Sequence, residues 1–418
     1  MEPAYTIPIL AILAFLVTSA VYPFILGYAH KHKIEDKPNT RKLQRSPVAV
    51  LGGLTIYIGI LVAGIVALIL SGDARIVGIL IFCGIMFCVG TWDDRKDISP
   101  YLRFLIEFLL TWFIIFFLKI EINDFHGFLG LHGIPDVVST PLSLIAGVGI
   151  INAINLIDGV DGYCSSYGAV ACTFFSIIFY YSGDMVMFTI ALIAVGALLP
   201  FFFHNVFGKT SKMFLGDGGS LMLGTLLSIF MFHTLCKDSS CAVLDSSGIS
   251  LVAVTLAILA VPVFDTLRVM IARVFGGYSP FRPDKTHLHH IFIEMDFSHV
   301  ATSMLIILGN AMIVVIEFVS WKLGASVNLQ VAIVVIFALL FTCGFYYFVK
   351  EQQKKNNGEG SKVYKKLCHM GKKTHFSNKP LWIFIRKIVD SPLLGRRIPN
   401  SEKGTQPKEK VRIDPRIQ

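Results

Sequence analysis

Long apolar runs, broken at intervals by short polar stretches, dominate the chain. Eleven runs are long enough to be read as membrane spans, since a helix needs about 20 apolar residues to cross the hydrocarbon core. Their approximate extents are 7–29, 48–70, 75–91, 102–118, 138–156, 164–182, 185–203, 218–235, 249–274, 300–320 and 329–349. The fifth is the weakest, because it ends in Asn152, Asn155 and Asp158. Backbone groups in lipid must be satisfied internally, so runs this long predict helices. The predicted fold class is all-α: a polytopic integral membrane protein of about 11 transmembrane helices.

Composition supports that reading. The chain is 54% hydrophobic and 16% charged, with a mean hydropathy of +0.67. A soluble domain carries about 25% charged residues, so a soluble fold is excluded, as is disorder for most of the chain. The first residues hold Glu2 and no Lys or Arg. With an apolar run this long they predict a first span rather than a cleavable signal.

Charge adds orientation. If residues 30–47 face the cytoplasm, about 33 of the 37 Lys and Arg fall in cytoplasmic loops and the tail. The opposite side keeps only Arg75, Lys119, Lys237 and Lys322. The positive-inside rule then places the N-terminus outside and the C-terminus in the cytoplasm. The net charge of +9 is concentrated in the tail, which from Lys350 onward holds 18 basic and 6 acidic residues. Two regions follow. Residues 1–350 are expected to form the transmembrane domain that carries any catalytic site, and residues 351–418 a basic cytoplasmic tail, partly disordered or interfacial. Beside a membrane, such a tail suits anionic headgroups rather than nucleic acid. Its apolar stretch around Trp382 predicts an interfacial helix, and the tail is expected to be dispensable for turnover.

The eight Cys are scattered and contain no Cys-x-x-Cys pair, which argues against a zinc ribbon or thioredoxin motif. Cys236 and Cys241 share a predicted external loop, where a disulfide is permitted but not required.

Five polar clusters interrupt the apolar pattern, all on the predicted cytoplasmic side. The first runs from Glu35 through Asn39, Arg41 and Lys42, and charge alone favours a simple anchor. The second holds Asp93, Asp94 and Asp97. Adjacent carboxylates at a membrane edge repel, and a divalent cation or bound basic group relieves that. The third is Asn152, Asn155, Asp158 and Asp161 with two glycines. On a continued helix, positions 152, 155 and 158 share a face. Asp217 opens the eighth run beside Gly216, Gly218 and Gly219. It is either a helix cap or a carboxylate for Mg²⁺ beside a phosphate-binding helix start. The fifth holds Arg282, Lys285, His287, His289 and His290, a set that suits phosphates better than zinc. Together the clusters describe a cytoplasm-facing cleft for a nucleoside diphosphate compound, in a protein whose second substrate is a lipid.

These motifs, in this order, resemble the polyprenyl-phosphate N-acetylhexosamine-1-phosphate transferase superfamily, glycosyltransferase family 4. The carriers are Asp36-Lys-Pro-Asn39-x-Arg41-Lys42, Asp93-Asp94-x-x-Asp97, Asn152-x-x-Asn155-Leu-x-Asp158-Gly-x-Asp161-Gly, Phe214-Leu-Gly-Asp217, Pro262-x-x-Asp265-Thr and Arg282 through His290. The His-x-His-His form looks like the branch that uses N-acetylglucosamine. The resemblance covers roughly residues 1–350 and implies a reaction. UDP-N-acetylglucosamine and undecaprenyl (polyprenyl) phosphate would give the lipid diphosphate sugar and UMP, starting a lipid-linked cell-surface glycan such as lipopolysaccharide or teichoic acid. It further implies Mg²⁺, or Mn²⁺, on Asn155 and Asp217. It gives catalytic or activating roles to Asp93, Asp94 and Asp97, nucleotide and metal-side roles to Asp158 and Asp161, and substrate binding to Asn39, Arg41, Lys42, Asn152, Arg282, Lys285, His287, His289 and His290. The implied location is the bacterial inner membrane, and a homodimer stays open. One departure is Gln44, where the family often has His. The alternatives are transfer of another sugar phosphate, including phospho-N-acetylmuramoyl-pentapeptide, or a transporter or flippase using Glu107, Asp265, Arg268 and Glu317 as intramembrane ion sites.

Overall fold

The computed structural model describes residues 3–36, 47–282, 284–356, 358–375 and 379–391. Asn39, Arg41 and Lys42 lie outside the described residues. Helices dominate. In chain order they are α1 (Pro3–Lys31), α2 (Gly52–Ser71), α3 (Arg75–Lys96), α4 (Pro100–Leu118), α5 (Asp136–Leu156), α6 (Tyr163–Tyr181), α7 (Met185–Phe207) and α8 (Gly216–Thr234). Then follow α9 (Leu251–Ile258), α10 (Ala260–Phe275), α11 (Leu288–Glu294), α12 (His299–Lys322), α13 (Val327–Leu339), α14 (Phe345–Lys354), α15 (Lys362–Lys372) and α16 (Pro380–Val389). Among the described residues, nine helices are long and apolar enough to cross a bilayer, with α13 and α14 counted as one.

Local chemistry sets several boundaries. The Ser99 hydroxyl caps α4 by accepting from Leu102 N, and Pro100 fits the first turn, where no intrahelical N–H bond is needed. Asp184 caps α7 and Ser298 caps α12 in the same way. Gly72 closes α2 in the left-handed region at φ 68°, which a glycine adopts without a Cβ penalty.

Two of the eleven predicted spans are not ordinary spans. The ninth is broken at Leu259 into α9 and α10, because Pro262 lacks the N–H that would continue the ladder. Neighbours satisfy the freed groups. Asn310 Oδ1 accepts from Val261 N at 2.9 Å, its Nδ2 donates to Ile258 O, and the Tyr167 hydroxyl also donates to Ile258 O. The eighth, α8, is the axis of the domain, with every residue from Gly218 to Thr234 buried. It packs against α2, α3, α5 and α6.

Three short strands, β1 (Glu35–Asp36), β2 (Val48–Val50) and β3 (Met213–Phe214), add a small sheet that hydropathy did not predict. β2 pairs antiparallel with β1 and parallel with β3, with Val50 opposite Phe214. The second predicted span therefore starts late, at Gly52. The sheet ties the segment after α1 to the start of α8.

Glycines let α8 approach its neighbours. A Cβ on Gly90 of α3 would lie 2.5 Å from Asp217 C and Gly218 N, both backbone atoms that cannot turn aside. Gly90→Ala is expected to push α3 off the start of α8, costing about 1–3 kcal/mol as overpacking. A thermal unfolding midpoint in detergent, with turnover measured on the folded fraction, checks this, and an unchanged midpoint would refute it.

Candidate active site

α8 begins with orphan backbone N–H groups and no cap of its own. Its N-cap position is Leu215, so Asp217 is not the cap that the sequence allowed. The cap comes from another helix. Asp94, near the end of α3, accepts from Asp217 N at 3.1 Å and from Gly218 N at 3.3 Å. This cross-helix cap leaves the Asp217 carboxylate directed elsewhere. Its Oδ1 accepts from Asn155 Nδ2 at 2.8 Å, and the same amide reaches the Ser220 hydroxyl at 3.0 Å. Asn155 comes from the last turn of α5, so three helix ends meet here.

A cleft of about 980 Å³ opens at this junction. Of the predicted site residues, Asp93, Asp94, Asp97, Asp158, Asp161, Asp217 and His290 line it. So do Lys212, Phe214, Asn205 and His299. Asp93 Oδ1 accepts from Ile98 N at 3.0 Å, while its Oδ2 meets Arg103 at 3.0 Å. Asp97 stands at the end of α3 in the left-handed region, at φ 45°.

The third cluster does not continue one helical face. α5 ends at Leu156, and Asp158 sits in the turn that follows. Asn152 looks toward α4, bonding Glu107 and accepting from Arg103 at 3.4 Å. Asn155 looks toward α8. Asp158 sits in the cleft wall among other carboxylates. Burial, then the charges of Asp217, Asp94 and Asp161, hold its carboxyl well above the usual range. Asp161 goes the other way. Burial raises it, but the His299 hydrogen bond and the Lys212 charge outweigh that and hold it below the usual range. Lys212 Nζ lies 2.6 Å and His299 Nδ1 3.0 Å from Asp161 Oδ2.

The basic cluster is less uniformly cationic than its sequence suggests. The Arg282 guanidinium lies 4.1 Å from the Tyr278 ring centre. Arg282 and Lys285 are exposed and are not among the cleft-lining residues. His287 is buried and bonded through Nδ1 to Asp265 at 3.0 Å, and Arg268 meets that carboxylate at 2.6 Å. Arg268 also stacks on Tyr346 of α14, 3.7 Å from the ring centre. His289 is buried behind Gly159, where a Cβ would lie 3.0 Å from its Nε2. Burial and the neighbouring His290 and His287 push His289 well down, so it is neutral.

His290 alone of the three lines the cleft. Burial, then His287 and Lys285, pull it down to about 4 from an ordinary 6.5. Between those values the unfolded chain binds a proton that the folded chain does not. Its contribution is therefore present above about pH 6.5 and lost as pH falls towards 4. His290→Gln is expected to flatten the fall of the unfolding midpoint across that interval. An identical pH profile in the variant would refute the assignment.

Sequence reasoning did not single out Arg103, Lys212 or His299. Arg103 at the start of a predicted span reads as one more anchor charge. Lys212 and His299 each sit in a short polar break between apolar runs. Only their distances to Asp93 and Asp161 mark them. On the opposite end of the bundle, both predicted loop cysteines are free thiols. Cys236 Sγ faces Lys119 O and Cys241 Sγ faces the Ser182 hydroxyl.

The fold and cleft define a class: a helical, multi-pass membrane protein with clustered carboxylates and countercharges at one end of the bundle. The family model for glycosyl transferase family 4 matches residues 76–234, which carry all six predicted site carboxylates, Asp93, Asp94, Asp97, Asp158, Asp161 and Asp217, together with Asn155. A probable undecaprenyl-phosphate N-acetylglucosaminyl 1-phosphate transferase of Bacillus subtilis (strain 168) is 29% identical over 330 residues, covering 79% of this chain and 88% of that protein. The undecaprenyl-phosphate alpha-N-acetylglucosaminyl 1-phosphate transferase of Escherichia coli (strain K12) is 29% identical over 307 residues, covering 72% and 80%. That of Yersinia pestis is 27% identical over 318 residues, covering 73% and 84%. The likeness to glycosyl transferase family 4 thus spans residues 76–234, and that to the bacterial transferases most of the chain.

Proposed function

We propose that the protein transfers N-acetylglucosamine-1-phosphate from UDP-N-acetylglucosamine to undecaprenyl phosphate, releasing UMP, on the cytoplasmic face of a bacterial inner membrane. The observation that carries this is the meeting of Asn155, Asp217 and Asp94 at the start of a buried central helix, with Arg103 beside Asp217 and Lys212 paired with Asp161 in the same cleft. The one-sided Lys and Arg distribution supports the orientation. The similar bacterial transferases support the sugar and the lipid.

The donor set suits a hard divalent cation. Asn155 and Asp217 side chains touch, and turning the amide about its last torsion would present its oxygen beside the carboxylate. Asp158, Asp94 and Asp217 also crowd like charges that a cation would offset. Mg²⁺ or Mn²⁺ held by Asp217 and Asn155 would neutralise diphosphate charge. The lipid phosphate, largely ionised at neutral pH, needs no strong base to attack. Its oxygen bonds to the sugar-linked phosphorus as the bond to the UMP oxygen breaks. Arg103 spaces Asp93 from Asp217. Lys212, Asp161 and Phe214 form the end of the cleft suited to the nucleotide, with an ion pair for polar edges and an aromatic ring.

The test is UMP release by the purified protein in lipid nanodiscs from radiolabelled UDP-sugars, with and without undecaprenyl phosphate and Mg²⁺. Release is expected only with UDP-N-acetylglucosamine, lipid and metal together. Turnover confined to another UDP-sugar would move the protein to a different branch. No turnover with any would remove the transferase reading.

A further inference from the structure

The tail's described residues include a docked helix. α16 lies against the end of α7. Its Trp382 ring is 4.6 Å from that of Phe207, and Arg386 Nε donates to Phe207 O at 3.3 Å. At its end, Asp390 receives the loop that follows α7. Lys209 N donates to Asp390 Oδ2 at 3.0 Å. Thr210 N at 3.2 Å, Ser211 N at 3.0 Å and the Ser211 hydroxyl at 2.8 Å all donate to Oδ1. Three successive backbone N–H groups and a hydroxyl thus converge on one carboxylate, the arrangement of an anion nest. From the other side, the Tyr22 hydroxyl donates to Ser211 O at 2.7 Å, and His204 Nδ1 bonds the Ser211 hydroxyl at 3.0 Å.

The next residue is Lys212, whose ammonium enters the cleft and pairs with Asp161 at 2.6 Å. A continuous set of contacts therefore joins the tail to the cleft: α16, the 209–211 loop, Lys212, Asp161. A lysine side chain is long and flexible, so where its charge sits depends on how firmly its backbone is held. The nest supplies that hold from a helix outside the membrane domain.

We propose that α16 is a positioning strap, in which Asp390 fixes the 209–211 loop and so sets Lys212 at the nucleotide end of the cleft. The inference rests on the transferase reading above. Asp390 touches no reacting atom and acts through Lys212. Binding to a pre-ordered site avoids the entropy of ordering the loop, so loss of the strap falls on donor affinity. The tail, dispensable on sequence grounds, then becomes part of donor recognition.

The experiment compares full-length wild type, Asp390→Ala and Asp390→Asn in nanodiscs, by amide hydrogen exchange over residues 205–212 and by steady-state kinetics. Asp390→Ala is expected to speed exchange of the 209–211 amides about tenfold. It should raise the KM for UDP-N-acetylglucosamine about five- to tenfold, with kcat and the lipid KM within about twofold. Asp390→Asn keeps a carbonyl acceptor for the nest and should return both readouts towards wild type. A merely structural tail would lower the amount of active protein and leave both KM values alone, and that result overturns the proposal. Unchanged exchange, or faster exchange with an unchanged donor KM, overturns it as well. Wild-type inactivity with every nucleotide sugar would instead sink the transferase reading, while the exchange comparison still decides whether Asp390 holds the loop.

Discussion

Asp217→Asn is expected to lower turnover by roughly 100- to 1,000-fold while the protein still folds and inserts. The structure sharpens this expectation. Asp217 is not the N-cap of α8, and its backbone N–H is held by Asp94 whatever its side chain is. Loss of helix capping therefore cannot account for a loss of activity. Asn is nearly isosteric and can still face Asn155 and Ser220. What it lacks is the anionic oxygen that a hard cation needs. Excess Mg²⁺ should restore little. Asn155→Ala should behave similarly, because its amide lies 2.8 Å from Asp217 Oδ1 and would share the ion. The measurement is UMP release against Mg²⁺ concentration, on protein whose unfolding midpoint matches wild type. Near-wild-type rates for Asp217→Asn would reject the metal assignment.

Arg103→Ala should lower both stability and turnover, the first by about 3 kcal/mol. The Arg103 guanidinium lies 3.0 Å from Asp93, 3.4 Å from Glu107 and 4.0 Å from Asp217. It also donates to Asn152. Its own side chain is 20% exposed, and that of Glu107 is fully buried. Removing the one cation leaves those carboxylates facing each other with their countercharge gone, which costs more than the pairs themselves contribute. Arg103→Lys should recover only part of the loss. A single ammonium cannot reach Asp93, Glu107 and Asn152 at once, as the planar fork does. Unfolding midpoints and UMP release of the two variants decide the matter. A wild-type midpoint in Arg103→Ala would show that the carboxylates do not depend on it.

Asp217 and Arg103 also mark the limits of reading this chain as a string. Asp217 is legible because Asp among glycines at the head of an apolar run is unusual, and two readings of it can be written down at once. Choosing between them needs the position of Asp94, a residue 123 places earlier that takes over the capping role. Arg103 carries no local signal, since an arginine at a span end is ordinary. The histidines show the converse. Three in four positions suggest a cationic clamp, yet His289 is buried and His287 is committed to Asp265. The tail, basic and Gly/Asn-interrupted, suggests a loose segment, while Asp390 closes on a loop 180 residues away.

The sequence by itself determined that the chain is a helical membrane protein, where most of its helices lie, and that its acidic and amide-bearing motifs resemble those of glycosyl transferase family 4. It could do so because bilayer thickness sets the length of an apolar run, and because ordered motifs lie wholly in the string. The tertiary structure decided the break at Leu259, the small sheet, the cross-helix cap from Asp94, the divergence of Asn152 from Asn155 and the pairing of Lys212 with Asp161. Each depends on which helix ends meet. That is settled by packing around the buried α8, whose glycine-lined contacts let backbones approach and whose unsatisfied first turn had to find its acceptor in another helix.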